Sequence, residues 1–449
     1  DQPRSRGLGD VYKRQLYMYK TEANIMKVDP VKHGKIAGRE LTLWRDMFAT
    51  GQKKVIKFII VRAFLKAKPV LKHRPIWLFF DKIYKAGDSA EYMYKYARSK
   101  KDGIKCYYLA DGASEDYARL EREGMKPVKR RSVKHRYAFL YADMVIVSNS
   151  TVYAFNDFGT INSALIRDLM NFHVACVQHG MSIQKIAVAQ NRLRDNTRLY
   201  FCASKYEIEN LSKPIYGYEG YDALKLTGVP RYDGLINEDK RQILLSPTWR
   251  MQAAVPVTKN EGVSRDYNPL FKETTYYQVY NSLINDERLI AAAQKYNYKI
   301  VYVLHPIVSP QIDDFDKNPS VEIIPAVAVH GHSGVNYEKV FRESSLMVSD
   351  FSGVQFDFAY MRKPVVYLHH HDIPKHYEEG TFHYDTMGFG EICEDNDELI
   401  DVLISYMQNN CEMKPEYRRR ADDFFRFDDH DNCERIYDVM IDYQTVSYT

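Results

Sequence analysis

The stretch "VACVQHGMSIQK", Val174–Lys185, decides the fold. An apolar run without polar alternation stops at a histidine that sits on a glycine. Strands written this way are buried on both faces, as in a parallel sheet covered by helices. In such sheets ligands bind beyond the carboxyl ends of the strands, and His179 stands at one of those ends.

Comparable runs lie on either side. "PIWLFF" (Pro75–Phe80), "IKCYYL" (Ile104–Leu109), "MVIVS" (Met144–Ser148) and "LYFCAS" (Leu199–Ser204) complete a first series. "QILLS" (Gln242–Ser246), "KIVYVL" (Lys299–Leu304), "VEII" (Val321–Ile324), "LMVS" (Leu346–Ser349) and "PVVYL" (Pro364–Leu368) form a second. Helical patterns separate them, so a βα alternation runs twice. The break falls near "LTGVPRYDGL" (Leu226–Leu235), rich in Gly and Pro. The expected fold class is α/β and GT-B-like, with two Rossmann-like doubly wound domains facing a cleft. C-terminal helices cross back, and a basic, apolar helix for membrane association lies near the N-terminus. The expected boundaries are 74–227 for the first domain, 228–395 for the second and 396–449 for the crossing helices. Residues 16–73 are read as a helical, membrane-associating segment. Residues 1–15, "DQPRSRGLGDVYKRQ", resemble a translated sequencing adapter and are set aside as an artefact.

The chain has 449 residues and a net charge of +4, short of what a dedicated nucleic-acid binder carries. Its 36 tyrosines read as filler of amphipathic positions. Six cysteines are scattered without a CxxC pair, which fits reduced thiols and neither a disulfide frame nor a zinc site. No run has the ~18 apolar residues of a membrane span. In "KKVIKFIIVRAFLKAKPVLK", Lys53–Lys72, Val55, Ile56, Ile59, Ile60 and Ala63 share one helical side, with Lys53, Lys54, Lys57 and Lys68 roughly opposite. Val61, Phe64 and Leu65 blur that pattern. It suits a helix lying on an anionic membrane surface, or one packed on the protein with a solvated basic edge.

Polar groups recur at the strand ends. An imidazole such as that of His179 can accept a proton from an alcohol. Gly180 allows a positive φ or a close backbone approach. His305 precedes Pro306, which biases it toward an extended backbone. Thr248 and Arg250, in "PTWR", offer a hydroxyl and a guanidinium suited to phosphate. In "SDFSGVQFDFAYM" a helix is expected to open near Ser352, where Ser349, Asp350 or Ser352 caps it and its first N–H groups make an anion site. Two imidazoles, an arginine and a helix start suit a diphosphate without a metal. "HHHD", His369–Asp372, makes a poor chelate if its histidines alternate faces along a strand. Neither a metal nor a cofactor is therefore expected.

Taken in order, "RPIWLFFDKIYKAGDSAEYMYKY", "VQHG", "GVPRYD", "LLSPTWR", "VLHP", "VSDFSGVQFDFAYMRKPVVYL", "HYEEGTFHYDTMGFGEI" and "FFRFDDHDNCERI" resemble the CDP-glycerol glycerophosphotransferase family. The resemblance runs from about Arg74 to Tyr437. It implies a GT-B enzyme that moves glycerol phosphate from CDP-glycerol to a hydroxyl on a membrane-bound, lipid-linked polyol-phosphate acceptor of the teichoic-acid type, releasing CMP. It implies His179 and His305 as catalytic, and donor contacts from Thr248, Arg250, Ser349 and Ser352, with Asp357 near the polyol. It also implies peripheral attachment to the cytoplasmic face of the cell membrane. The near-balanced charge points to no nucleic-acid partner, and a homo-oligomer is left open. The chain departs from the family's usual wording in "HGMSIQK", and in Phe351 and Gly353 where Tyr and Ser are common. CDP-ribitol as donor, or a capsule-type polyol phosphate, is the first alternative. A GT-B glycosyltransferase using a nucleotide sugar and a non-catalytic envelope scaffold are the others.

Overall fold

The computed structural model describes residues 16–20, 26–30, 33–49, 55–71, 74–82, 85–149, 172–183, 190–255, 266–375 and 380–448. The segment set aside as an artefact, 1–15, lies outside them. The described residues form two compact units, one up to Leu71 and one from Arg74 onward.

The first unit is not wholly helical. Strands β1 (Leu16–Lys20) and β2 (Met26–Pro30) pair antiparallel, Met18 opposite Val28. A two-stranded ribbon takes its pairing from backbone hydrogen bonds, which leave little mark on the hydrophobic pattern. A short helix, Lys68–Leu71, comes last, after two longer ones, His33–Ala49 and Val55–Lys66. The longer two share a buried ion pair: Arg62 donates from Nε and Nη2 to the Glu40 carboxylate at 2.6 and 2.9 Å, and Lys66 joins at 2.8 Å. Burial alone would raise the Glu40 carboxyl, yet hydrogen bonds from Arg62 and Lys66 hold it down at about 2. Phe58 and Leu65 face inward, while Leu41, Phe48, Ile56, Ile60 and Phe64 remain exposed.

The second unit holds two parallel sheets. In the first, β3 (Ile76–Phe80), β4 (Lys105–Ala110), β5 (Val128–Lys129), β6 (Met144–Val147), β7 (His173–Cys176), β8 (Thr197–Cys202) and β9 (Leu224–Leu226) lie in the order β5-β4-β3-β6-β7-β8-β9. In the second, β10 (Gln242–Leu245), β11 (Lys299–Leu304), β12 (Val321–Pro325), β13 (Leu346–Ser349), β14 (Val365–Leu368) and β15 (Ile392–Cys393) lie in the order β12-β11-β10-β13-β14-β15. Every pairing in both is parallel. Each order reverses once, between β3 and β6 and between β10 and β13. These are the topological switch points, where a crevice opens at the carboxyl ends. All five residues of β3 are fully buried, which explains its unbroken apolar text.

The link between the sheets does several jobs in a few residues. Val229 leads into a 3-10 turn, Pro230–Gly234, whose Tyr232 packs on Tyr360 with ring centroids 4.4 Å apart. Asp233 accepts hydrogen bonds from the Asn432 and Cys433 backbone at 2.9 and 2.8 Å, capping the last helix, Asn432–Tyr448. That helix returns to the first sheet, where Cys433, Ile436, Tyr437 and Met440 join the core of Trp77, Phe79 and Met93. The helices Asn396–Gln408 and Pro415–Phe424 pack instead on the second sheet.

Candidate active site

β7 delivers His179 past its carboxyl end. The turn is made at Gln178, with φ +62°, rather than at Gly180, where an added Cβ would meet nothing. The Gln178 side chain donates to the Phe201 carbonyl and accepts from Ser182 Oγ. Ser182 also bonds Tyr200 Oη at 2.6 Å, and its N–H donates to the buried Glu207 carboxylate at 2.9 Å. The serine of "HGMS" thus anchors the loop that presents His179, whose side chain is 47% exposed.

Asp88 grips His179. Its carboxylate takes Nδ1–H of the imidazole while capping the helix Ser89–Lys100 through the Ser89 N–H at 2.8 Å. This fixes the tautomer, leaving the lone pair on Nε2. Lys82 Nζ lies 2.7 Å from that Nε2. Arg231, from the link between the sheets, binds three partners. It donates to Asp88 Oδ1 at 3.2 Å, to the His179 carbonyl at 3.0 Å and to both oxygens of Asp357 at 2.8 and 3.1 Å. Burial works against the Asp88 charge, but His179 and Arg231 outweigh it and hold the carboxyl well below the usual range. Behind it Asp81 accepts from the Asp88, Ala90 and Glu91 backbone and from Tyr108 Oη. Burial, followed by the Asp88 charge, pushes the Asp81 carboxyl up. Asp81, Lys82 and Asp88 follow β3, at the switch point of the first sheet.

At the switch point of the second sheet stands Asp350. Thr248 donates to it from N and Oγ1 at 2.9 Å, and Arg250 Nη2 pairs with it at 2.8 Å. Arg250 Nε reaches the Pro374 carbonyl and Nη1 the carbonyls of Thr248 and Trp249, so this guanidinium is 3% exposed and fully engaged. Ser349 is buried and donates to the Ser246 carbonyl at 3.1 Å. The helix here runs Gln355–Tyr360, starting later than the text suggests. The Val354 N–H points to Ser352 Oγ at 3.5 Å, and the next three N–H groups turn to carbonyls of residues 352–354. Asp357 lies on this helix, buried under Arg231. His305 follows β11, its Nδ1 accepting from the Ile307 N–H at 3.2 Å, which leaves Nε2 as the protonated nitrogen of the neutral ring. Trp249 lies beside it, ring centroids 6.4 Å apart.

The structure therefore gathers Thr248 and Arg250 around Asp350, and joins His179 to Asp357 through Arg231. Asp88, Lys82 and Arg231 escape sequence reasoning. Their signals were an Asp ahead of a helix, a lysine at a strand end and an arginine in a Pro-containing link. β14 ends at Leu368, so His370 and His371 lie beyond the strand, where a turn begins, and their rings stack, centroids 4.7 Å apart, beside Asp372. The alternation expected of a strand does not apply to them.

The profile of the CDP-glycerol:poly(glycerophosphate) glycerophosphotransferase family matches residues 60–442. The chain belongs to that family. Among curated relatives of this glycerophosphotransferase-family chain, the minor teichoic acid biosynthesis protein GgaB of Bacillus subtilis is 36% identical over 411 residues. The match covers 90% of this chain and 44% of GgaB, so the chain spans less than half of that relative. The teichoic acid ribitol-phosphate polymerase TarL of Staphylococcus aureus is 24% identical over 47% of this chain and 35% of its own. In fold, the chain resembles the wall teichoic acid polymerase TagF (H548A) with a TM-score of 0.60, at 15% identity, over 93% of this chain and 100% of that one. The S. aureus MnaA–UDP structure follows at 0.50 and 14% identity, over 83% and 97%. The double-sheet α/β architecture expected from the sequence is thus one this chain shares with TagF.

Proposed function

We propose that this chain transfers glycerol phosphate from CDP-glycerol to a hydroxyl of a membrane-bound acceptor of the teichoic-acid type, releasing CMP. The observation that carries the reading is the Asp88–His179 pair at a strand end, with an imidazole lone pair held on Nε2. The acceptor oxygen attacks the phosphorus that bears glycerol. His179 Nε2 takes its proton as the new P–O bond forms, and the bond to the bridging oxygen breaks, with that electron pair leaving on CMP. Asp88 keeps the imidazole in the right tautomer and stabilises its charged form. His305, protonated on Nε2, donates to the diphosphate. Segments Thr248–Arg250 and Ser349–Ser352 frame the donor phosphates, with Arg250 and Thr248 acting through the Asp350 cluster that shapes the loop. Asp357 and Arg231 close the polyol side. Residues 74–227 form the acceptor-side domain, 228–395 the donor domain, and 396–449 cross back.

The enzyme works at the cytoplasmic face of the membrane as a peripheral protein. Exposed Leu41, Phe48, Ile56, Ile60 and Phe64 on two adjacent helices, with exposed Lys57, support that placement. No helix among the described residues is long and apolar enough to cross a membrane. The likeness to TarL keeps CDP-ribitol as the alternative donor.

The test is CMP release by purified protein with membranes and either CDP-glycerol or CDP-ribitol, beside His179→Ala. Acceptor-dependent release that is lost in the variant upholds the reading and names the polyol. Turnover of a UDP-sugar with neither CDP-polyol used would overturn it.

A further inference from the structure

Lys82 makes a contact that the transfer must undo. Its Nζ sits 2.7 Å from His179 Nε2, the nitrogen whose lone pair has to receive the acceptor proton. An ammonium donating into that lone pair blocks the base, so Lys82 must move before His179 can work. The nearby carboxylates are already committed. Asp88 serves His179, Arg231 and the Ser89 N–H, and Asp81 serves three backbone N–H groups and Tyr108. No carboxylate among the described residues forms a salt bridge with Lys82. Burial depresses its pKa against the pull of Asp88 and Asp81. The displaced ammonium therefore needs an anion that arrives with the hydroxyl. Its flexible stem can follow one. Its place at the switch point of the first sheet puts it where a ligand enters.

We infer that Lys82 is the acceptor's phosphate receptor: it binds the phosphodiester of the terminal polyol unit while that unit's hydroxyl takes its place on His179 Nε2. This rests on the transfer reading above and gives the polyol phosphate of its acceptor a residue that holds it. The phosphodiester of a polyol-phosphate chain lies one polyol away from its terminal hydroxyl, within the sweep of a lysine side chain.

The experiment titrates a synthetic glycerol-phosphate trimer into protein saturated with CMP, and separately measures CDP-glycerol affinity. It compares wild type, Lys82→Met and Lys82→Arg, each checked for a wild-type thermal transition. The expected result is trimer affinity roughly tenfold or more weaker in Lys82→Met, within about threefold in Lys82→Arg, and unchanged CDP-glycerol affinity in both. Equal trimer affinity in wild type and Lys82→Met overturns the inference, as does absence of trimer binding by wild type. So does a parallel loss of CDP-glycerol affinity, or a loss in Lys82→Arg as large as in Lys82→Met, since either marks a scaffold role. Failure of the transfer reading has a separate signature: wild type releases no CMP from either CDP-polyol, whatever the trimer does.

Discussion

Asp88 does two things with one carboxylate: it caps a helix and orients the base. Replacing it by Asn separates the two. The amide oxygen still accepts the Ser89 N–H, so the helix keeps its cap. The amide has no charge to stabilise an imidazolium and can present its N–H₂ to Nδ1, which favours the wrong tautomer. Asp88→Asn is expected to lower kcat by about 10²–10⁴ with little change in melting temperature, measured by CMP release and thermal denaturation. A kcat within a few fold of wild type would remove Asp88 from the mechanism. Arg231 gives this site its rigidity. With 14% of its side chain exposed, it bridges one carboxylate from each half of the cleft and holds the His179 carbonyl.

At the scale of elements, two contacts decide what stays together. Arg62 and Glu40 tie the first unit's helices through a buried pair, and removing Arg62 leaves Glu40 with only the part-exposed Lys66. Arg62→Ala is expected to cost this unit about 1–3 kcal/mol, read by chemical denaturation. The pH dependence follows from a carboxyl whose folded pKa is depressed. The stabilisation is fully present above Glu40's unfolded value near 4.5 and is lost as pH falls through about 2. Wild-type stability in this unit should therefore fall across that window, and Glu40→Gln should flatten the fall. Gly228 is the second contact. Its φ is +91°, and an added Cβ would stand 1.7 Å from Asn432 Oδ1. Gly228→Ala must strain the backbone and push the capped start of the last helix off its seat. It is expected to destabilise by at least about 2 kcal/mol in denaturant melts, with loss of protection of the Asn432–Tyr448 amides. Unchanged protection would show that this helix does not depend on the link.

For the whole molecule, the prediction concerns where it works. Ile56 and Ile60 are 61% and 62% exposed, one helical turn apart. Paired replacement by Ser removes apolar area without touching the buried pair. Binding to anionic vesicles should weaken roughly tenfold or more, while CDP-glycerol affinity stays at the wild-type value. Wild-type vesicle binding should also fall with salt, since basic residues act through a screened attraction. Vesicle binding unaffected by the double replacement would place the membrane contact elsewhere.

The sequence by itself determined the two parallel sheets. Strands buried on both faces have to be written in unbroken apolar residues, and Lys299–Leu304 and Leu346–Ser349 match their expected bounds residue for residue. It left out the ribbon of β1 and β2 and the short edge strands β5, β9 and β15, whose pairing is backbone work with little side-chain pattern. His179 was legible because the end of a buried strand is a fixed place in the fold. Asp88 and Arg231 were not, since they lie 91 and 52 residues away in the chain and meet His179 only after the sheets and the link have assembled. At His305 the choice of which nitrogen carries the proton is local, made by the backbone N–H of Ile307 two residues on. Tertiary structure alone decided which nitrogen of His179 carries the proton, because that choice depends on a carboxylate 91 residues away that no residue type or spacing can place.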